Sequence, residues 1–239
     1  MTGMSRLAQL RTDLLGQMVA LLRSDPTVQA VALVGSLGHG SEDDWSDIDF
    51  MILMDDDEVS RFAARPSDRA WARAPLIVDS RHNAPAGATQ INAVHILEGL
   101  PFWVDFCVFP AARIRWPVRH RAMFERRAVE TSDQTFGALT SCGSRQQPRL
   151  KTQAEERRAH LAFVPLAAKY IARGQPEHVR DMIRFIGAEP DYNEMEADGQ
   201  LGTLRVIASR LSDPSSEWLH DAVTSYLDLI EEAITGCRN

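Results

Sequence analysis

The stretch Val31–Met54, VALVGSLGHGSEDDWSDIDFMILM, constrains this chain more than any other. An apolar run ends in Gly35-Ser36, a polar loop follows, and Asp47-Ile48-Asp49 opens a second apolar run. Short apolar runs bounded by Gly, Ser and Asp read as buried strands of a sheet. The Gly35-Ser36 turn offers backbone N–H groups and a hydroxyl that can hold phosphate oxygens. Asp47 and Asp49, two apart on a strand, project from one face. Ser41–Asp49 is rich in acids, and a solvated acidic loop is the plainer reading. Asp47 and Asp49 alternate with the apolar Ile48 and Phe50, however, so the pair belongs to a half-buried strand. Converging carboxylates repel each other unless a cation neutralises them, and Mg²⁺ carrying a nucleotide's phosphates is the natural partner.

A third carboxylate is sought on a later strand. Gln90–Ile96 (QINAVHI) reads as a strand, Glu98–Pro101 as a turn, and Phe102–Phe109 (FWVDFCVF) as the returning strand. Asp105 sits amid Val104, Phe106, Cys107 and Val108, where an aspartate is costly to bury unless it is paired or holds a metal. A cross-strand ion pair with an arginine is the structural alternative. Asp79, at the end of Pro75–Asp79, competes for the role but sits at a strand edge where solvation is easy. The expected cluster is therefore Asp47, Asp49 and Asp105, binding one or two Mg²⁺ ions.

On these residues the chain resembles the DNA polymerase β-like nucleotidyltransferase superfamily. Its pattern is a hydrophobic residue before Gly-[Gly/Ser], a spacer, Asp-x-[Asp/Glu], and a third carboxylate on a later strand. Size and layout are most similar to the antibiotic nucleotidyltransferases, which adenylylate aminoglycosides or lincosamides. The motifs reach only as far as the Asp105 strand. Many members carry Arg in the turn where this chain has Gly38-His39-Gly40, so His39 stands where a stronger phosphate contact would be. The resemblance implies transfer of a nucleoside monophosphate, AMP from ATP, to a hydroxyl of a small acceptor. Gly35 and Ser36 would hold the triphosphate. Asp105 would bind a second metal or accept the acceptor's proton.

The fold class expected is α+β: an N-terminal mixed-sheet domain over 1–130, a connection over 131–148 and a helical domain over 149–239. Residues from 4 to 23 read as an amphipathic helix, Val28–Val34 and Asp47–Met54 as strands, and Arg61–Arg73 as a helix. Thr131–Pro148 is polar and enriched in Gly and Ser, as a connection should be. Helices follow over Arg149–Arg173, Pro176–Gly187, Leu201–Leu211 and Ser215–Thr235, with Pro176 in a first-turn position. Lys169 and Arg173 lie four apart on one helix face and are candidates for the β- and γ-phosphates. Glu155 and Glu156 are candidate bases from this half. Pro165 should kink its helix. Trp45, Trp71, Trp103 and Trp116 could stack on a base, though core packing explains each as well.

Charge narrows the acceptor. A net charge of −7 suits long nucleic acid poorly, because binding it needs many phosphate contacts. Ser41–Ser60 holds nine acids and no Lys or Arg. Its negative field would draw a polycationic small molecule, although solubility explains the acids equally well. Against this stands the arginine strip from Arg113 to Arg127, either an RNA- or phosphate-binding surface or a linker with solvated cations. Lys151 and Lys169 are the only lysines among 26 basic residues, so a single arginine here means little. The scattered Cys107, Cys142 and Cys237 and the lack of a long apolar run suggest a cytoplasmic protein without a membrane span. Three rival readings remain: modification of tRNA or a protein in the manner of a toxin, a catalytically silent binding module, and metal-dependent phosphate hydrolysis. Oligomeric state is left open.

Overall fold

The computed structural model describes residues 3–112, 114–141, 151–186 and 197–236. It is an α+β fold: a mixed six-stranded sheet followed by C-terminal helices. The chain divides into two compact units. One comprises Ser5–His95 and Phe102–Arg149, the other Met1–Met4, Ile96–Pro101 and Leu150–Asn239.

Helix α1 (Gly3–Ser24) buries Leu7, Leu14, Met18 and Leu22, a helical stripe. Strand β1 (Val28–Leu33) runs antiparallel to β2 (Ile48–Met54), with α2 (Gly35–His39) between them. Helix α3 (Asp56–Ala64) follows, and β3 (Leu76–Asp79), β4 (Thr89–Leu97), β5 (Leu100–Pro110) and β6 (Arg121–Glu125) complete the sheet. The strand order is β3-β4-β5-β2-β1-β6. β2 and β5 are parallel, and β6 pairs antiparallel with β1. The β4–β5 turn is tighter than the sequence suggests. Only Glu98 and Gly99 form it, both at positive φ (49° and 79°), as a two-residue hairpin turn requires, and Leu100-Pro101 already belong to β5.

Arg61–Arg73 is not one helix. α3 starts earlier, with Asp56, Asp57 and Glu58 in its first turn, where acids favour the helix dipole. It ends before Pro66, whose ring cannot continue a helix, and two short 3₁₀ turns follow. Arg69 ties this segment down through ion pairs to Asp25 and Glu58.

The sheet has two apolar faces. On one, Phe50 and Phe106 stack at 5.7 Å, and Trp71 packs edge-on to Phe106 and against Phe62. On the other, Ala30, Ala32, Val34, Met51, Leu53, Cys107 and Phe109 form a cluster with Ala84, Ala88 and Trp116. In the expected connection, Thr131 bridges to Trp116 and Phe136–Ser141 forms a short helix, α4; residues 142–148, Cys142 among them, lie outside the described residues.

In the helical unit, α5 (Gln153–Ala172) packs against α6 (Pro176–Phe185), α7 (Ala197–Leu211) and α8 (Glu217–Gly236). A capping box starts α5: the Thr152 hydroxyl accepts from the Glu155 backbone while the Glu155 carboxylate accepts from the Thr152 backbone. Arg205 joins α7 to α8 through Asp228 at 2.7 Å and Glu231 at 2.8 Å. Pro165 lies within α5, which is helical on both sides of it.

Candidate active site

Asp49 on β2 and Asp105 on β5 are matched residues of the parallel pair. Matched residues on neighbouring strands point to the same face, and adjacent strands lie about 4.8 Å apart, so the two carboxylates stand side by side. Alternation places Asp47, just before β2, on that face too. All three are half-buried. Farther along the same face lie Met51, Leu53, Cys107 and Phe109 of the apolar cluster, so the carboxylates stand at the end of a dry surface. The Cys107 thiol reports this: burial pushes it well above its ordinary value, and the charges of Asp105 and Asp49 push it further.

Gly35 faces Asp49. It has φ +60°, and a Cβ built on it would meet Asp49 Oδ2. The Val34 N–H donates to the Asp49 carbonyl at 3.0 Å, locking the end of β1 to β2. The expected Gly-Ser turn is in fact the five-residue helix α2, in which Ser36 is half-buried. Its chain returns through Gly40 in the left-handed conformation.

Two further residues, without a motif in the sequence, complete the surroundings of Asp105. The Asn92 amide, on β4, donates to Asp105 Oδ1, and the Ser80 hydroxyl donates to Asn92 Oδ1. The signal was available: an amide in QINAVHI is as anomalous as an aspartate in FWVDFCVF. Asp79 is settled by register. It is one residue beyond Val78, the partner of Asn92, so it faces the opposite side of the sheet. There it pairs with Arg81 at 2.7 Å.

The other candidates have identifiable surroundings. Lys169 is buried, not solvated, with its Nζ 5.6 Å from the Tyr170 ring centre; the Arg173 guanidinium is 5.8 Å from the same ring. Glu155 is held in the capping box, which gives it a structural task. Trp45, Trp71, Trp103 and Trp116 are all buried.

Several charges expected to be free are employed in the fold. The Asp43–Ser46 loop is held by Arg11, which donates to the carbonyls of Asp43 and Ser46. Arg113 lies outside the described residues. The rest of the arginine strip forms no linker but leads into edge strand β6. Arg115 pairs with Glu130, and Arg126 donates to the carbonyls of Val28, Arg23 and Asp25. Arg119 and Arg121 are exposed.

Among the described residues no group of three or more His, Cys, Asp or Glu side chains is arranged to hold a metal ion. Two adjacent carboxylates at the edge of a dry face do fit a hard divalent cation, which takes oxygen ligands and is commonly held by one or two carboxylates plus substrate phosphates. No helix among the described residues is long and apolar enough to cross a membrane.

No protein-family model matches the chain. No curated protein matches it either. Among solved structures, it is similar to a STING-associated CdnE c-di-GMP synthase from Capnocytophaga granulosa, at 10% identity and a TM-score of 0.35, over 97% of this chain and 82% of that one.

Proposed function

We propose that the protein is a Mg²⁺-dependent nucleotidyltransferase that moves a nucleoside monophosphate, AMP from ATP, onto a hydroxyl of a small cationic acceptor such as an aminoglycoside or lincosamide. The observation that supports this most is the in-register pair Asp49 and Asp105, with Gly35 at the start of α2 set against Asp49. A sheet that needed only stability would not set two carboxylates side by side, since each raises the cost of ionising the other.

Asp49 and Asp105 would hold the cation, with Asp47 on the same face of the sheet. When bound, Mg²⁺ neutralises phosphate charge and stabilises the attacking and leaving oxygens. Gly35 presents backbone where any side chain would collide, and Ser36 offers its hydroxyl to a phosphate oxygen. Asp105 is the group we assign to accept the acceptor hydroxyl's proton, a task worth typically 10²–10⁴-fold. We assign nucleotide contacts also to Lys169 and Arg173. Residues 1–130 would be the catalytic domain and 149–239 the helical domain.

The test is incubation with labelled ATP, Mg²⁺ and separate panels of aminoglycosides, lincosamides and tRNA. Label on an aminoglycoside or lincosamide is expected. Label on tRNA alone would replace the small acceptor with RNA, and label on nothing, with ATP intact, would remove the transferase reading.

A further inference from the structure

Three polar side chains cross the sheet in a line: Ser80 after β3, Asn92 on β4 and Asp105 on β5. Ser80 and Asn92 are 4% and 6% exposed, on a face whose continuation is apolar. Burying a hydroxyl and an amide costs free energy unless both are hydrogen-bonded, and here each satisfies the next. The direction of the chain matters. Ser80 donates to the Asn92 oxygen, so the amide nitrogen is turned to the carboxylate and cannot flip without losing a bond.

We infer that Asn92, oriented by Ser80, is the positioning residue for Asp105. This rests on the reading of Asp49 and Asp105 as cation ligands. Asp49 repels Asp105, and a carboxylate on a strand can relieve that by rotating about χ1. The neutral Asn92 donor holds Oδ1 in place without adding charge to compete with the cation. A carboxylate in its place would repel Asp105, and a lysine would itself neutralise the pair.

The test is Mn²⁺ binding to the full-length protein, followed by paramagnetic resonance, on the wild type, Asp49→Asn, Asn92→Leu and Ser80→Ala, with thermal melting of each. Asn92→Leu keeps the branched shape and removes the donor. It is expected to weaken Mn²⁺ binding about 10- to 100-fold, the scale on which groups orienting metal ligands act. Its kcat should fall while KM for nucleotide stays put. Ser80→Ala, which leaves the amide but frees it to turn, should weaken Mn²⁺ several-fold less and keeps the question decidable if Asn92→Leu does not fold. Wild-type Mn²⁺ affinity in a folded Asn92→Leu, or in Ser80→Ala when Asn92→Leu is lost, overturns the positioning role, provided Asp49→Asn has lost the ion. Undiminished binding in Asp49→Asn overturns the cation site itself, and the positioning role with it.

Discussion

Gly35 and Asp49 approach so closely that a Cβ added to the glycine would collide with Asp49 Oδ2. The glycine also holds φ +60°, which a side chain resists. Gly35→Ala should therefore act twice. The backbone conformation costs about 1–2 kcal/mol of stability, and the Asp49 carboxylate must turn away. Melting should show a modest fall, and transfer should drop by a much larger factor than the melting shift explains. Equal activity in the alanine variant would mean that Asp49 does not need its present orientation.

The side-by-side carboxylates make opposite demands on stability and activity. Asp49→Asn and Asp105→Asn each remove one of two like charges, so the fold should be as stable as the wild type or slightly more so. At position 105 the new amide can turn its oxygen to Asn92, preserving that hydrogen bond. Transfer should be lost in both. A strong loss of melting temperature would show instead that the partners of these charges matter more to the fold than their mutual repulsion.

The arginines near β6 divide into two kinds. Arg126 donates to three backbone carbonyls, at 2.7 Å, 2.7 Å and 3.1 Å. Arg126→Ala should cost about 1–3 kcal/mol, the scale of charged hydrogen bonds partly open to water. Arg119 and Arg121 are exposed, and reversing both to Glu should leave stability and transfer to a cationic small molecule within about twofold, whereas an RNA acceptor would lose affinity about tenfold or more. Kinetics with each acceptor measures the difference directly.

His95 makes stability depend on pH. It is 8% exposed, and its Nε2 has no hydrogen-bond partner among the described residues. Burial lowers its pKa below the usual 6.5. Above that pH the ring is neutral in both folded and unfolded chains. As pH falls below 6.5 the unfolded chain takes up a proton that the folded one refuses, so stability declines until the lowered native value is passed. His95→Phe should flatten this part of the melting-temperature profile. An unchanged slope would assign the acid sensitivity to other groups.

Local signals made much of the fold legible. Val28–Val34 and Asp47–Met54 are apolar runs with sharp polar ends, and the observed strands differ from them by one residue at an end. The helices of the second half carry their own stripes, although α7 begins earlier than Leu201 and α6 ends at Phe185, short of Gly187. By contrast α2 and β6 carry no such local signal. GSLGH has two glycines and no helical stripe, and is helical because the chain must turn between β1 and β2. Arg121–Glu125 carries charge at both ends, and becomes a strand because β1 offers it an open edge.

What the sequence alone determined is which residues could not be ordinary: aspartates opening or interrupting apolar runs, and a glycine where a strand must stop. Those are consequences of side-chain polarity against local periodicity, and they need no partner. Which of these residues meet is set by the pairing of distant strands. β2 and β5 are far apart in the chain, so their parallel register, which sets Asp49 against Asp105, follows from sheet order and not from any turn between them. The same holds for Ser80 and Asn92, unremarkable until β3, β4 and β5 are laid edge to edge, because a hydrogen bond across strands depends on which residues the register brings opposite one another.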